Sequence, residues 1–252
     1  MNLCVTIPTY SRPNQLLKTL EQLNRINIDG LNLIVNIQIN PSNKEDIIKY
    51  KNNLAGLAKK NIKEIVLNVN NVNIGAPANI LRSIESVCDY DWIWLLGDDD
   101  IIEPDAGVII KEELEKAKKL NYSVVKFSSN LNENSKREFV TKDVENILSK
   151  EVLDFDYFSN LLFMSNYIYR GKDVKKAFSN AYLYTGSFAS HVILMLLVAK
   201  IGGSFYMTKR EIVQSSLPEE GKWNPIIVHN MLYESFYVEN HKKHHIHVRD
   251  GI

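Results

Sequence analysis

Hydrophobic residues in the first half of the chain occur in two alternating patterns. Short and nearly continuous apolar runs, such as residues 3–7 and 92–96, have the composition of buried β-strands. Between these runs, apolar residues recur at helical spacing, for example Leu16, Leu20 and Leu23. Strands that are apolar on both faces and alternate with helices predict an α/β fold with a Rossmann-like, mostly parallel sheet covered by helices on both sides.

The elements of the first half can be placed from this pattern, whereas the second half is less regular. We predict strands at residues 3–7, 31–39, 62–67, 92–96 and 123–127, and helices that follow Ser11 as an N-cap and that begin near residues 44, 77 and 105. In the second half we predict a short strand at 167–169 and helices at residues 152–163, 188–201 and 224–239. The polar segment 129–142 predicts a mobile loop.

Composition and charge narrow the class of protein. Thirty basic and thirty acidic residues give a net charge of zero, which argues against general binding to nucleic acid or to an anionic membrane. The two cysteines, Cys4 and Cys88, lie in apolar segments and indicate buried thiols in a reducing compartment. The chain lacks the basic start of a signal peptide, and its longest apolar stretch, 192–199, is far shorter than the roughly 20 residues that cross a bilayer. We therefore expect a cytoplasmic protein without a transmembrane segment.

Three consecutive carboxylates, Asp98, Asp99 and Asp100, follow the strand predicted at 92–96. At the carboxyl end of a strand in a parallel sheet, this acidic cluster would face the ligand crevice. Like charges so close together raise one another's pKa unless a cation lies between them, and carboxylate oxygens suit Mg²⁺ or Mn²⁺. The sequence therefore indicates a divalent metal that bridges the phosphates of a nucleotide. A solvated acidic turn that caps the next helix is the alternative.

Three separated segments carry a resemblance to a known family. They are residues 5–12 (Val-Thr-Ile-Pro-Thr-Tyr-Ser-Arg), Asn73, Ile74 and Gly75 followed by Asn79, and residues 92–100 followed by Pro104 and Asp105. In this order they resemble the nucleotide loop, the second nucleotide-contact segment and the aspartate motif of the family-two glycosyltransferases of the GT-A fold, of the type that builds bacterial surface polysaccharides and glycolipids. The second half resembles the acceptor half of that family only in outline.

The resemblance implies a role for each matching residue. Asp100 would bind Mn²⁺ or Mg²⁺, Asp98 would contact the ribose, and Asn40 stands where the family usually places the Asp that reads the nucleobase. The residues expected to bind the donor are Pro8, Thr9, Tyr10, Arg12, Asn40, Asn73, Gly75, Asn79, Arg82, Asp98 and Asp99. Surface charge is the alternative reading of the two arginines, and turn or cap geometry is the alternative for Asn73, Asn79 and Gly75.

A catalytic base for the acceptor hydroxyl is harder to place. Inverting members of the family commonly carry a carboxylate just before the long helix of the second half, whereas this chain has no acid there and offers His191. An imidazole with a pKa near neutrality can act as a general base, and a packed core histidine is the alternative. The rival bases are Asp154, Asp156 and Glu211. With a base in place, we predict a single displacement with inversion at the anomeric carbon.

Together these residues predict a metal-dependent glycosyltransferase that uses a nucleotide-diphosphate sugar. We expect one GT-A domain at residues 1–217, with a nucleotide-sugar half at about 1–128 and an acceptor half at about 143–217, followed by a C-terminal helix and a basic, histidine-rich tail at 218–252. The acceptor would be a saccharide or a lipid-linked saccharide. The C-terminal part would contact the inner face of the membrane or form a homo-oligomer. A nucleotidyltransferase, whose glycine-rich phosphate loop this sequence lacks, and a non-catalytic nucleotide-sugar-binding protein are the alternatives.

Overall fold

The computed structural model of the chain describes residues 1–130, 136–148, 155–186 and 189–216. The helix predicted at 224–239 and the histidine-rich tail lie outside the described residues. Within them, helices cover both faces of one large, mostly parallel sheet, so the predicted fold class is confirmed. None of the helices in this part of the chain is long and apolar enough to cross a bilayer.

Strands and helices alternate regularly as far as the sixth strand and less regularly after it. The strands are β1 (Asn2–Thr9), β2 (Asn32–Ile39), β3 (Ile62–Val69), β4 (Trp92–Leu95), β5 (Ile101–Ile102), β6 (Tyr122–Ser128), β7 (Phe139–Thr141), β8 (Tyr167–Arg170), β9 (Ser204–Glu211) and β10 (Val213–Gln214). The helices are α1 (Pro13–Leu23), α2 (Lys44–Ala55), α3 (Ala76–Glu85), α4 (Ala106–Leu120), α5 (Val144–Leu148), α6 (Phe155–Leu162), α7 (Gly171–Ala181) and α8 (Ser190–Gly202). Two 3₁₀ turns, Met164–Asn166 and Tyr182–Tyr184, complete the described elements.

The sheet has the strand order β3-β2-β1-β4-β8-β6-β9-β7. Neighbouring strands from β3 to β4 are parallel, β8 is antiparallel to both β4 and β6, and β9 is again parallel to β6. Because β8 runs backwards, the residues that precede it lie at the same edge as the residues that follow β1, β2 and β4. This edge carries the acidic cluster. A short antiparallel ribbon of β5 and β10 lies beside it.

Two hydrophobic cores lie on opposite faces of the sheet. Leu3, Val5 and Ile7 of β1 pack on one face with the apolar sides of α1 and α4. Cys4 of β1 points to the other face, where α3, α7 and α8 pack. Helix α8 is apolar on all sides, and its residues 190–196 are all buried, as expected for a helix inside a domain. Burial on both faces explains the near-continuous apolar runs of β1, β2, β4 and β6.

Several elements differ from the sequence-based expectation. Strand β9 and helix α7 were not predicted, and the segment 129–142 contains β7, which pairs with β9, rather than only a loop. Ser11 is not the N-cap of α1: it has a φ of 53°, and Arg12 occupies that position before Pro13. Helix α1 begins at Pro13, so Ser11 lies one residue before the N-cap position, and its left-handed backbone is unusual for an N-cap. Its hydroxyl donates a hydrogen bond to Asp46 instead.

Candidate active site

The acidic cluster lies at the carboxyl end of β4, as its position in the sequence predicts. Asp98 and Asp100 are buried, and the side chain of Asp99 between them is 39% exposed. The two buried carboxylates therefore point into the protein on either side of a solvent-facing neighbour. Helix α1 holds the main chain of this turn, because Thr19 donates a hydrogen bond to the carbonyl of Asp98 (3.0 Å) and Gln22 donates one to the carbonyl of Asp100 (3.3 Å).

Asp98 contacts two of the residues that were predicted to bind the donor. The Thr9 hydroxyl donates a hydrogen bond of 2.5 Å to Asp98, and the Arg12 guanidinium lies 3.2 Å from the same carboxylate. Arg12 also pairs with Asp99 at 2.6 Å. Burial raises the pKa of Asp98 to about 6, against the opposing effects of the Thr9 hydroxyl and the Arg12 charge. The structure therefore brings Thr9, Arg12, Asp98 and Asp99 together at one point.

Tyr50, which was not predicted as a site residue, joins this group. Its buried phenol lies on α2, with the oxygen 2.9 Å from the Thr9 hydroxyl. The same oxygen accepts a hydrogen bond of 2.8 Å from the backbone N–H of Arg12. The phenol can then donate to Thr9, which donates to Asp98, so a chain of hydrogen bonds orients the carboxylate. A tyrosine on the apolar side of a helix looks like an ordinary core residue in the sequence, so no pattern marks it.

Asp100 is held by uncharged donors. The Ser165 hydroxyl donates to one carboxylate oxygen, and the backbone N–H of Ser216 lies 3.4 Å from the other. Gly97 donates a backbone hydrogen bond of 2.8 Å to the Ser165 hydroxyl, and a Cβ at Gly97 would lie 2.5 Å from the carboxylate. A larger residue at position 97 would therefore displace Asp100. Burial raises the pKa of Asp100 to about 6, and the charge of Asp99 adds to this rise.

The donor set of this site suits a hard cation that is shared with a ligand. Within the described residues, no group of three or more Asp, Glu, His or Cys side chains is arranged to hold a metal by itself. Mg²⁺ in particular is usually bound through one or two carboxylates together with substrate phosphates, and keeps several water ligands. Asp100 is a buried carboxylate whose contacts in the described structure come from a hydroxyl and a backbone N–H. Its oxygens therefore fit Mn²⁺ or Mg²⁺ bound jointly with a diphosphate.

A second group of polar residues, the amide cluster, lies at the carboxyl ends of β2 and β3. Its members are Gln38, Asn40, Asn70, Asn73 and Asn79. The Asn40 amide donates to Asn73 (2.6 Å), and its oxygen accepts from the backbone N–H of Ile74 (3.0 Å) and from Asn70 (3.3 Å). Asn79 accepts from Asn70 (2.7 Å) and donates to the carbonyl of Gln38 (3.2 Å).

The amide cluster fixes the shape of the loop that leads into α3. Gly75 has a φ of 80°, a conformation that favours glycine, and its N–H donates to Asn73 at 2.9 Å. Asn40 is buried, its amide oxygen accepts two internal hydrogen bonds, and one of its two amide N–H groups donates to Asn73. Among the described contacts, the second N–H is left for a ligand. These contacts support a role for Asn40 in shaping the loop. Direct contact with a nucleobase stays a prediction.

The other residues predicted to bind the donor lie in different environments. Pro8 is buried in β1 beside Gln38 of β2, and Tyr10 is exposed directly after that strand. Arg82 lies in the last turn of α3, where it pairs with Glu85 at 3.3 Å and is 57% exposed. Among the described contacts, none links Arg82 to the acidic cluster. Its contact with the donor phosphates stays a prediction.

His191 is deeply buried at the start of α8. It is 2% exposed, its Nε2 lies 3.0 Å from the carbonyl of Leu162, and its ring contacts Tyr167 edge-on. The carbonyl requires a proton on Nε2, so Nδ1 carries the lone pair, and Nδ1 has no hydrogen-bond partner among the described residues. Burial lowers the pKa of His191 to about 4. This environment favours a packed, neutral imidazole over a base, and the catalytic role stays a prediction.

Among the rival bases, Glu211 is the one whose side chain lies within the described residues. Glu211 ends β9 and forms an ion pair of 2.8 Å with Lys136. Asp154 and the side chain of Asp156 lie outside the described residues.

Comparison with known proteins agrees with the fold. No protein-family model and no curated protein matches the chain. Among solved structures, residues 1–349 of S. aureus TarS, a GT-A glycosyltransferase, share 14% identity with a TM-score of 0.59, covering 85% of this chain and 60% of that one. The same TarS fragment in complex with UDP-GlcNAc gives 12% identity, a TM-score of 0.60, and coverage of 92% and 64%.

A second transferase shows the same likeness. The mannosyltransferase PcManGT from Pyrobaculum calidifontis, in complex with GDP-Man and Mn²⁺, gives 11% identity, a TM-score of 0.57, and coverage of 87% of this chain and 58% of that one. The chain thus spans about 60% of the TarS fragment and of the mannosyltransferase, and 37% of the longer solved TarS chain. The likeness confirms the GT-A fold that the sequence predicted.

Proposed function

We propose that the chain is a glycosyltransferase that moves a sugar from a nucleotide-diphosphate sugar to an acceptor hydroxyl. The observation that carries the proposal is the pair of buried carboxylates, Asp98 and Asp100, at the carboxyl edge of a GT-A sheet. Two buried carboxylates whose pKa values are both raised are unfavourable in the ligand-free protein. A fold that keeps them at its ligand-binding edge is suited to a cationic or metal-bound ligand.

The donor would lie along the carboxyl ends of β1, β2 and β4. Thr9 and Tyr50 orient Asp98, which would contact the ribose, and Arg12, half of whose side chain is exposed, can move from Asp99 to a phosphate. The amide cluster would hold the loop of Asn73 and Gly75 against the nucleoside. These roles are supported by the contacts among the residues and by the resemblance of their segments to the family-two transferases.

We further propose that donor binding requires Mn²⁺ or Mg²⁺ at Asp100. When bound, such a cation supplies positive charge to the diphosphate leaving group. Ser165 and Ser216 hold the carboxylate in one orientation, and Gly97 leaves the space that it occupies. The Mn²⁺ in the mannosyltransferase complex supports this choice of metal.

Transfer would proceed by direct displacement with inversion, because this route needs one base and no covalent intermediate. The base must take the proton of the acceptor hydroxyl, and the candidates are His191, Asp154, Asp156 and Glu211. The acceptor would be a saccharide or lipid-linked saccharide of surface polysaccharide or glycolipid synthesis. A homo-oligomer or peripheral membrane contact through the C-terminal residues belongs to the same proposal.

The proposal is tested by incubating the protein with a panel of nucleotide sugars and Mn²⁺ and by following release of the nucleoside diphosphate. We expect slow donor hydrolysis with one class of donor and none for Asp100→Ala, whose substitution alters a loop and leaves the core intact. Asp89→Ala is the matched control, because Asp89 is exposed and pairs only with surface Lys175 in the described contacts. Full activity of Asp100→Ala, or full activity in excess chelator, would refute the metal assignment.

A non-catalytic nucleotide-sugar-binding protein is the second candidate, and the burial of His191 is the observation that favours it. The same panel separates the two functions. Binding of a nucleotide sugar without hydrolysis, and without transfer to added saccharides, would identify the binding protein.

A further inference from the structure

Lys126 is a lysine buried completely inside the protein. Its side chain extends from the centre of β6, and its exposed fraction is zero. None of the ion pairs among the described residues includes it, and burial lowers its pKa well below the ordinary range. Buried ammonium groups are unfavourable unless they are paired or fully hydrogen-bonded. Hydrophobic packing alone therefore gives no reason for a lysine at this position.

The Lys126 nitrogen is surrounded by hydrogen-bond acceptors. The nitrogen donates to the side-chain oxygens of Asn160 (3.1 Å) and Asn166 and to the carbonyl of Phe127 (3.3 Å). It also lies 4.6 Å from the centre of the Tyr167 ring. Three acceptors surround the nitrogen, so each of its N–H groups has a partner within reach. The amine thereby ties β6 to α6 and to the 3₁₀ turn Met164–Asn166.

The 3₁₀ turn links this amine to the acidic cluster. Asn166, which contacts Lys126, directly follows Ser165, whose hydroxyl donates to Asp100. The turn is only three residues long, so its orientation sets both contacts together. Ser165 also accepts hydrogen bonds from Gly97 (2.8 Å) and from the Trp94 indole (2.7 Å). These two contacts tie the turn to β4 and the residues that follow it, and Lys126 ties the turn to β6.

We propose that Lys126 is a positioning residue of the Asp100 site. It fixes Asn166 and so orients the Ser165 hydroxyl that holds the Asp100 carboxylate in place for the donor. The inference rests on the proposed function, because it assigns to Lys126 an effect on metal-dependent nucleotide binding. A lysine that served only the core would affect stability and leave binding by the folded protein unchanged.

The test is a double-mutant cycle of Lys126→Met and Ser165→Ala, read as the dissociation constants of UDP and GDP in the presence of Mn²⁺. Loss of groups that orient a metal ligand commonly weakens metal affinity by about 10- to 100-fold. We expect each single variant to weaken binding by at least about tenfold. The double variant should bind no more weakly than Ser165→Ala, because both substitutions break the same connection.

Lys116→Met is the matched control, because it makes the same chemical change at another lysine. Lys116 lies in the second half of α4, where it contacts Tyr206 and Glu138 and none of the residues of the acidic cluster among the described contacts. It should bind the nucleotides like the wild type. If Lys126→Met does not fold, Asn166→Ala breaks the same link with a smaller change in the core, and the cycle is run with that variant. The inference would be overturned if Lys126→Met or Asn166→Ala bound the nucleotides like the wild type, or if the effect of either variant added to that of Ser165→Ala.

Failure of the proposed function gives a different result. If the wild-type protein binds neither nucleotide with Mn²⁺, the proposed function fails, and the cycle is then read from urea unfolding. Less than additive losses of stability in the double variant would still support the orientation of Ser165 by Lys126, and additive losses would overturn it.

Discussion

At the scale of single residues, the two buried carboxylates of the acidic cluster differ in how their negative charge is balanced. Arg12 pairs with Asp98 and Asp99, whereas the described contacts of Asp100 are one hydroxyl and one backbone N–H. A buried carboxylate is destabilising when no positive charge is near it. Asp100 is therefore the position at which the fold gains most from a ligand that brings a cation.

This reasoning predicts that Asp100→Asn stabilises the ligand-free protein. Burial raises the pKa of Asp100 from 3.8 to about 6, so the ionised side chain is unfavourable in the folded state at neutral pH. The amide has no charge to bury, and the variant should gain up to about 3 kcal/mol in free energy of unfolding at about pH 7.5. Urea unfolding of both proteins measures the difference. Metal-dependent nucleotide binding should be lost in the same variant.

The stability gained by Asp100→Asn should depend on pH. Between about pH 4 and pH 6 the folded protein binds more protons at Asp100 than the unfolded chain does, so this contribution to stability falls as the pH rises. The advantage of Asp100→Asn should therefore be small below about pH 4 and complete above about pH 7. Asp89→Asn, at an exposed position, should show neither change. An advantage independent of pH would contradict the buried-charge explanation.

The role of His191 can be tested by comparing its removal with the removal of another buried side chain of the same helix. Because its ring is packed and its pKa is lowered to about 4, we expect His191→Ala to lower the free energy of unfolding by about 2 kcal/mol or more. Turnover by the folded variant should stay within a few-fold of the wild type. Met195→Ala, one turn later on buried α8, should behave in the same way. A loss of about a hundredfold or more in turnover for His191→Ala alone would establish His191 as the general base.

At the scale of elements, the site depends on segments that are distant in the chain. The motifs in β1, β4 and the loop before α3 could be predicted, because strand ends and glycine- or aspartate-containing turns mark them in the sequence. Tyr50 and Ser165 could not, because each contacts the site only after α2 or β8 has packed. In particular, the antiparallel direction of β8 brings Ser165 to the carboxyl edge of β4. The sequence of the short turn before β8 does not indicate that β8 runs antiparallel to β4.

The secondary structure also divides into strands that could be predicted from the sequence and strands that could not. Strands β1, β2, β4 and β6 are buried on both faces, and their apolar runs were sufficient to predict them. The edge strand β3 was also predicted although it is only partly buried, whereas the two-residue strand β5 was not predicted. Strand β9 begins with buried residues and ends with Lys209, Arg210 and Glu211, so it has no continuous apolar run. Strand β7 has only three residues and pairs at the sheet edge. Both depend on pairing with distant strands, which periodicity does not report.

At the scale of the whole molecule, the residues proposed to bind the nucleotide sugar and the residues that hold them in place come from both halves of the chain. The acidic cluster and Arg12 belong to the first half, whereas Ser165 and Ser216 belong to the second. Ligand binding at this edge should therefore stabilise the entire sheet rather than one loop. This expectation can be measured as a shift of the melting temperature.

We predict that UDP or GDP raises the melting temperature only when Mn²⁺ or Mg²⁺ is present. A ligand that binds the native state alone stabilises it by mass action, by about 2.7 kcal/mol at a hundredfold excess over its dissociation constant. The shift should weaken below about pH 6, because Asp98 and Asp100 then gain protons and lose affinity for a cation. Asp100→Ala should show no shift, and Asp89→Ala should shift like the wild type. A shift of equal size in chelator would show that the nucleotide binds without a metal at Asp100.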